Sequence, residues 1–163
     1  MMIERAVSRR TKGRPLGDHQ FVQGMIADSI MELEQFRLLI LKAAWTIDEV
    51  EAGRLPHGAA RPWIAMCKIG LARVFHDIAR RAVHLHGSLG VSNETPLAKM
   101  WAGAPTLAIA DGPTEVHQVQ LARHFLRQAK PGPRLFGSDH IPTRLEQARA
   151  WLAEREREAV AAE

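Results

Sequence analysis

Asp111 is the residue of this chain whose neighbours best suit acid–base chemistry. It lies in the segment IADGPTEVH (109–117) and follows the apolar run LAIA (107–110). Apolar neighbours that keep water from a carboxylate raise its pKa, which suits a general base at neutral pH. The alternative is a helix cap, because Pro113 fits the first turn of a helix and an aspartate before it accepts hydrogen bonds from free backbone N–H groups. Residue types alone leave both interpretations open.

A basic segment near the start of the chain has the groups needed to bind an anion. The segment RRTKGRPLGDHQ (9–20) contains Arg9, Arg10, Lys12 and Arg14, and guanidinium groups bind phosphate oxygens in a fixed geometry. The alternative is a basic turn between two helices. We do not expect a nucleic acid as the partner, despite the net charge of +4, because acidic residues accompany the basic ones along the helices and aromatic residues are sparse.

A third segment, HLHGSLG (84–90), contains two glycines at the end of a helical pattern. Glycine has no Cβ, so a ligand can approach the backbone at Gly87 or Gly90 closely. The alternative is a helix C-cap without further function. The histidines do not predict a metal site, because His84 and His86 face different sides of a helix and no carboxylate or thiolate stands at a suitable spacing from the others.

Length and composition are those of one ordinary domain. The chain has 163 residues, of which 46% are apolar, enough for a hydrophobic core. No apolar run reaches the ~18 residues that a membrane-spanning helix needs, and the start MMIERAVSRR has no secretory signal, so we expect no membrane partner. Cys67, the single cysteine, rules out an internal disulfide and fits a reducing compartment, so we expect a cytoplasmic protein.

The elements that must position these segments are predicted to be helices. Apolar residues at steps of three and four predict one long helix from Asp18 to Glu51 and another from about Ala59 to His86. The short connection makes them antiparallel neighbours. The stripe of the first long helix comprises Val22, Met25, Ile26, Ile30, Leu33, Phe36, Ile40, Ala44 and Ile47. Its opposite face carries Asp28, Glu32, Gln35, Lys42 and Glu49.

Shorter helices complete the predicted fold, which is all-α and an antiparallel four-helix bundle. We predict a helical stub over 2–11, a short helix over 95–101 that ends before Pro105, and a helix over 113–128. No stretch has the period-two alternation of a strand. The domain boundaries are predicted as 1–129 for the bundle and 130–142 for a linker rich in Pro and Gly. An extra C-terminal helix over 143–163 begins at a Thr143 cap and has a thin apolar stripe.

These segments, in this order and at this spacing, resemble the C-terminal helical domain of the acyl-CoA dehydrogenases. The resemblance spans about residues 4 to 128. It implies that Asp111 removes the α-proton of an acyl-CoA thioester while the β-hydrogen leaves as hydride to FAD. Most family members carry glutamate at this position, and the ADGP sequence (110–113) is similar to a branch that carries aspartate.

The same resemblance implies a set of FAD neighbours. Arg9 and Gln20 match an arginine and a glutamine that contact FAD bound by a neighbouring subunit. The family sequence Gln-x-x-Gly-Gly corresponds to 84–88, where His84 replaces the glutamine, Gly87 is kept and Ser88 replaces the second glycine. Glu115 takes the place of a polar family residue three positions after Gly112. The resemblance thus implies FAD as cofactor, acyl-CoA as substrate, and a homo-oligomer.

Several positions depart from the family pattern. Lys12 stands where the family usually has a phenylalanine beside the flavin, and Ala102 and Gly103 replace an Arg-Asp pair. A full family member also has an N-terminal helical domain and a middle β-domain, which have no counterpart in these residues. Three interpretations therefore remain: a dehydrogenase component that works with a chain supplying the other domains, an inactive truncated remnant, and a helical association module without flavin.

Overall fold

The computed structural model describes residues 1–129 and 141–161, and the contacts divide the chain into two compact units, Met1–Leu126 and Arg127–Glu163. The predicted all-helical fold is confirmed, apart from two strands of two residues each. The helices are α1 Met2–Ser8, α2 Gln20–Glu51, α3 Arg61–His86, α4 Ser88–Val91, α5 Leu97–Ile109, α6 Thr114–Gln128 and α7 Ile141–Ala161. None of these described helices is long and apolar enough to cross a membrane.

The centre of the first unit is α3, which packs against both α2 and α5. Glu32 of α2 binds Arg81 of α3, whereas Phe36 lies against Gly70, so α2 and α3 are antiparallel. Gly70 permits the close approach of the two helices, because a Cβ there would lie 3.1 Å from the Phe36 ring.

Helix α5 also runs antiparallel to α3. Three contacts in succession show this. Leu97 packs with Val83, Trp101 donates a hydrogen bond of 2.9 Å to His76 Nε2, and Leu107 receives one from Lys68.

The predicted buried face of α2 is partly wrong. Ile30, Leu33 and Ile40 of the predicted stripe are about half exposed, whereas the buried residues of the helix are Val22, Ser29, Ala43 and Thr46. Glu32, which we placed on the solvated face, turns toward α3. A helix that is apolar on more than one side gives a periodicity signal without a unique inner face.

Helix α5 is longer than predicted, and the expected break before Pro105 is wrong. The helix runs through Pro105 to Ile109. An interior proline costs roughly 3 kcal/mol through its lost hydrogen bond and its steric clash. The packing of α5 on α3 offsets this cost, since Leu97 and Ala104 are only 3% and 1% exposed while Pro105 itself faces solvent.

The front of the chain contains a small hairpin where we predicted helix and turn. Helix α1 ends at Ser8, and the strands β1 (Arg10–Thr11) and β2 (Arg14–Pro15) pair with Thr11 opposite Arg14. The two turn residues, Lys12 and Gly13, have φ of 48° and 80°, as a type I′ hairpin requires. The hairpin arises from local turn geometry, which apolar periodicity does not report.

The second unit contains α7, which begins two residues before the predicted Thr143 cap, so Thr143 lies in the first turn of the helix. Of the predicted linker 130–142, residues 130–140 lie outside the described residues. Every side chain of α7 that the structure describes is exposed.

Candidate functional site

Asp111 lies in the turn between α5 and α6. Its φ is 55°, in the left-handed region that few residues other than glycine adopt, and Gly112 follows with φ of 102°. The residue is exposed in this chain. It precedes the first helical residue, Thr114, by three positions, and Thr114 Oγ1 donates back to the Ala108 carbonyl oxygen over 3.2 Å. Asp111 is therefore exposed in the turn and is not the residue next to the start of α6.

Contacts from three directions fix this turn. Lys68 of α3 donates a hydrogen bond to the Leu107 carbonyl oxygen in the last turn of α5. His117 of α6 lies with Nε2 3.4 Å from the Asp111 carbonyl oxygen. A Cβ at Gly112 would lie 3.3 Å from the same His117 nitrogen. The backbone position at Asp111 is thus held from α3, α5 and α6 together, while the side chain is left open to solvent.

Three of the other candidates lie together at the opposite end of the bundle. A buried cluster of Ala6, Val22 and Leu85 joins α1, the start of α2 and the end of α3. Arg9 follows α1 at its C-cap, and Gln20 is the first residue of α2. Both side chains are exposed, as is the neighbouring His84. Segments far apart in sequence thus place a guanidinium, an amide and an imidazole at one end.

Gly87 and Ser88 form the adjacent helix end. Gly87 caps α3 with φ of 63°, and its N–H donates to the Val83 and His84 carbonyl oxygens over 3.1 Å each. A Cβ at Gly87 would meet nothing within 4 Å, so the space beside this backbone is open to a ligand. Gly90 is different, because a Cβ there would lie 2.3 Å from the Val83 oxygen. Gly87 suits the expected close approach, whereas Gly90 serves the packing of α4 on α3.

The structure does not bring Asp111 together with the Arg9, Gln20 and His84 group within one chain. Helix α5 starts beside Val83, near the His84 end of α3, and finishes beside Lys68, near Asp111. Its 13 residues span about 20 Å at 1.5 Å per residue. Glu115, which we grouped with the FAD neighbours, lies in the first turn of α6 on the Asp111 side. The candidate residues therefore form two sites, one at each end of the α3–α5 pair.

A groove between α2 and α3 connects the middle of the bundle to solvent. Its volume is about 500 Å³, and Leu121 of α6 lies at its side. At one rim Arg81 forms a bidentate pair with Glu32, with both N···O distances at 2.7 Å. The hydrogen bonds from Arg81 lower the pKa of Glu32, and the same contact raises the pKa of Arg81. This pair serves helix association rather than proton transfer, because a carboxylate with a lowered pKa is a weak base.

One residue with a structural role at the Asp111 site, Lys68, was not identified from the sequence. Lys68 lies on the apolar side of its helix, and nothing in its spacing indicates a contact with α5. The neighbouring Cys67 is half-buried, and burial raises the pKa of its thiol. The raised pKa makes this thiol less reactive, because the thiolate is the reactive form.

The family model and the similar proteins that match this chain all indicate the same family. Residues 1–126 match the model of the family described as Acyl-CoA dehydrogenase, C-terminal domain. The chain is similar to acyl-CoA dehydrogenase family member 11 of Rattus norvegicus, at 44% identity over 127 residues, 78% of this chain and 16% of the relative.

Solved structures of other proteins share the fold of this chain. Butyryl-CoA dehydrogenase from Megasphaera elsdenii superposes with a TM-score of 0.68 at 27% identity, over 77% of this chain and 31% of that one. The FAD complex of PigA gives the same TM-score at 23% identity, over 78% of this chain and 32% of that one, which shows the shared fold. The chain spans less than a third of the length of the curated relatives it matches. On the match of residues 1–126, the chain belongs to the acyl-CoA dehydrogenase family and contains its C-terminal domain.

Proposed function

We propose that this chain is the C-terminal domain of an FAD-dependent acyl-CoA dehydrogenase of the aspartate-base branch. The observation that carries the proposal is the placement of Asp111, which stands exposed in a turn held by α3, α5 and α6 within the family-matching region. The other parts of a family member have no counterpart in the 163 residues. Activity therefore depends on polypeptide beyond these residues or on another chain.

In this proposal Asp111 is the catalytic base. Its carboxylate takes the α-proton of the thioester, and the electron pair of that C–H bond forms the Cα–Cβ double bond. FAD, when bound, accepts the β-hydrogen as hydride. Because Asp111 is exposed here, the missing domain and the substrate must exclude water from it to raise its basicity. The Asp111 side chain is one methylene shorter than that of glutamate, so the substrate must come closer to the backbone for the same reach.

The residues at the other end fit the flavin cofactor. The exposed Arg9 guanidinium suits a pyrophosphate, and Gln20 offers an amide to the adenine. Gly87 has open space where a Cβ would be, which permits close approach to its backbone. His84 keeps a donor and an acceptor in place of the family's glutamine. PigA, which shares this fold, forms a complex with FAD.

The separation of the two ends supports sharing of the site between subunits. The length of α5, roughly 20 Å, separates Asp111 and Glu115 from the Arg9 end. Asp111 and Arg9 of one copy are therefore too far apart to surround the same reacting carbon. In a homo-oligomer, the Arg9, Gln20 and Gly87 end of one copy would help to hold the FAD that serves Asp111 of another copy. A hetero-oligomer with a chain that supplies the missing domains satisfies the same geometry. A cytoplasmic location remains a prediction from the single cysteine.

The proposal is tested first by the colour of the protein. The tagged chain, purified gently from its native cells, should show a flavin absorption spectrum together with polypeptide that supplies the other domains. In that complex Asp111→Asn should abolish dehydrogenation of acyl-CoA while the flavin stays bound. Asp28→Asn, an exposed aspartate on α2, is the matched control and should keep parental activity. Activity near the parental level in Asp111→Asn would remove this residue from the base role.

A second candidate function is an association module without flavin. Helix α2 exposes large apolar side chains well beyond its contact with α3, and Leu38 and Leu41 are 64% and 56% exposed. The changes at Lys12, His84, Ser88, Ala102 and Gly103 instead favour an inactive remnant that folds but has no activity. A colourless complex that still contains a stable partner would select this candidate over the dehydrogenase.

A further inference from the structure

Helix α7 lies outside the region that matches the family, which ends at residue 126. Its 21 residues give a rod of about 32 Å. The apolar side chains Leu145, Trp151 and Leu152 are each more than half exposed. In proteins most of the stability of a helix comes from packing of its apolar face against another element. The family domain therefore gives no account of what α7 does.

Five apolar residues of α7 lie on one face. Ile141, Leu145, Ala148, Leu152 and Ala159 recur at steps of three, four and seven, which is the heptad spacing of a helix that pairs with another helix. Arg155 occupies the one remaining core position of this repeat and lies over the Trp151 ring at 5.0 Å. The seam is thus short and weak at its C-terminal half, so additional contacts along its flanks must specify the partner.

The charges that flank this seam are arranged symmetrically about its middle. On one flank Arg144 and Glu158 lie at equal distances in sequence before and after Trp151. On the other flank the midpoint between Arg149 and Glu156 lies just after Leu152, one to two residues beyond Trp151. Both oppositely charged pairs therefore have nearly the same midpoint, at Trp151 and Leu152. An antiparallel copy of the same helix, crossing near that midpoint, would bring Arg144 toward Glu158 and Arg149 toward Glu156 of the other copy.

We infer that α7 is a self-association helix whose partner is α7 of a second copy of this chain, paired antiparallel about Trp151 and Leu152. In this pair Arg144 faces Glu158 of the second copy, and the Trp151 rings of the two copies lie side by side. A parallel pair in register would instead bring Arg144 near Arg149 of the second copy, which is repulsive. In the antiparallel pair the dipoles of the two helices also point in opposite directions, which is favourable.

Disulfide cross-linking of the full chain tests both the contact and its direction. In a Cys67→Ala background, Leu152→Cys should form a disulfide-linked dimer on mild oxidation, because the two-fold pair brings position 152 of each copy together. Leu145→Cys should not, because its two copies lie about 20 Å apart along the antiparallel pair, beyond the ~7 Å limit between Cα atoms of a disulfide. A mixture of Leu145→Cys and Ala159→Cys chains should cross-link again.

This readout reports on α7 alone, whatever oligomer the rest of the chain forms. If Leu145→Cys cross-linked with itself as readily as Leu152→Cys, the antiparallel pair would be overturned in favour of a parallel one. Absence of cross-linking in all three samples would overturn self-association of α7 and leave a different protein as its partner.

Charge reversal gives an independent test by sedimentation. Arg144→Glu and Glu158→Arg should each weaken the α7-dependent dimer about tenfold, since each converts two attractive contacts into repulsive ones. The double variant should restore the parental dissociation constant, because the pairs are re-formed with exchanged signs. Glu154→Arg, on the opposite face of the helix, is the control and should leave the constant within about twofold. A double variant no better than either single one contradicts the proposed pairing.

Discussion

Lys68 of α3 holds the carbonyl oxygen of Leu107 on α5, four residues before Asp111. The last carbonyl groups of a helix have no partner within the helix, and a lysine near this end also interacts favourably with the helix dipole. The contact ties the C-terminal end of α5 to the central helix of the bundle. It thereby fixes the point from which the Asp111 turn departs.

Removal of this tie should loosen α5. We expect Lys68→Met to lower the free energy of unfolding by about 1 kcal/mol, because a partly buried carbonyl oxygen loses its donor while the apolar stem is kept. Urea denaturation followed by circular dichroism measures the change. Lys99→Met, at an exposed lysine on α5, is the control and should have little effect. Equal stability of the two variants would show that the Lys68 contact contributes nothing to stability.

The Glu32–Arg81 pair should make stability depend on pH in the acid range. Hydrogen bonds from Arg81 lower the pKa of Glu32 below its ordinary value of 4.5. The contribution of the pair is therefore fully present above that ordinary value, and it is lost as pH falls through the lower pKa of the folded state.

The test compares Glu32→Gln with the parent across this pH range. At pH 7 we expect the variant to be about 1–2 kcal/mol less stable, a value between those of exposed and buried pairs, and the difference should shrink toward pH 3. Glu34→Gln is the control, because its contact with Arg37 is longer, at 3.7 Å, and exposed. A constant difference between Glu32→Gln and the parent at every pH would contradict the ion-pair account.

Two glycines in this chain should respond in opposite directions to alanine. Gly90→Ala places a Cβ 2.3 Å from the Val83 oxygen, so we expect a loss of about 1–3 kcal/mol from overpacking. Gly103 lies within α5, where a Cβ would meet nothing within 4 Å, and Gly103→Ala should stabilise by about 0.5–1 kcal/mol through helix propensity. Thermal unfolding of both variants measures the contrast, and a neutral Gly90→Ala would argue against the tight α4 contact.

The backbone at Asp111 should favour glycine. Because φ there is 55°, Asp111→Gly should be more stable than Asp111→Ala by about 1 kcal/mol, since alanine is sterically disfavoured in the left-handed region. At Asp28, inside helix α2, the order should be reversed, since alanine is the better helix former. Melting temperatures of the four variants measure both differences. The same order at both positions would mean that the Asp111 turn relaxes when its side chain changes.

Local chemistry made part of this protein predictable from the sequence. Helices α2, α3 and α6 begin within two residues of their predicted starts, because apolar spacing and the Gly and Pro signals at their ends are properties of neighbouring residues. The three motifs that resemble the acyl-CoA dehydrogenases were also visible in the sequence, and the family match confirms the family they indicate. The roles of Asp111, Arg9 and the other candidates stay predictions.

Only the tertiary structure decided how these pieces are arranged. The inner face of α2 depends on which side meets α3, and α2 is apolar on several sides, so periodicity gives no unique answer. Helix α5 continues through Pro105 because burial of Ala104 against α3 outweighs a local penalty. The placement of Asp111 and Arg9 at opposite ends follows from the antiparallel course of α3 and α5, since contacts between residues distant in sequence, such as Lys68 with Leu107, fix that course and no local pattern encodes them.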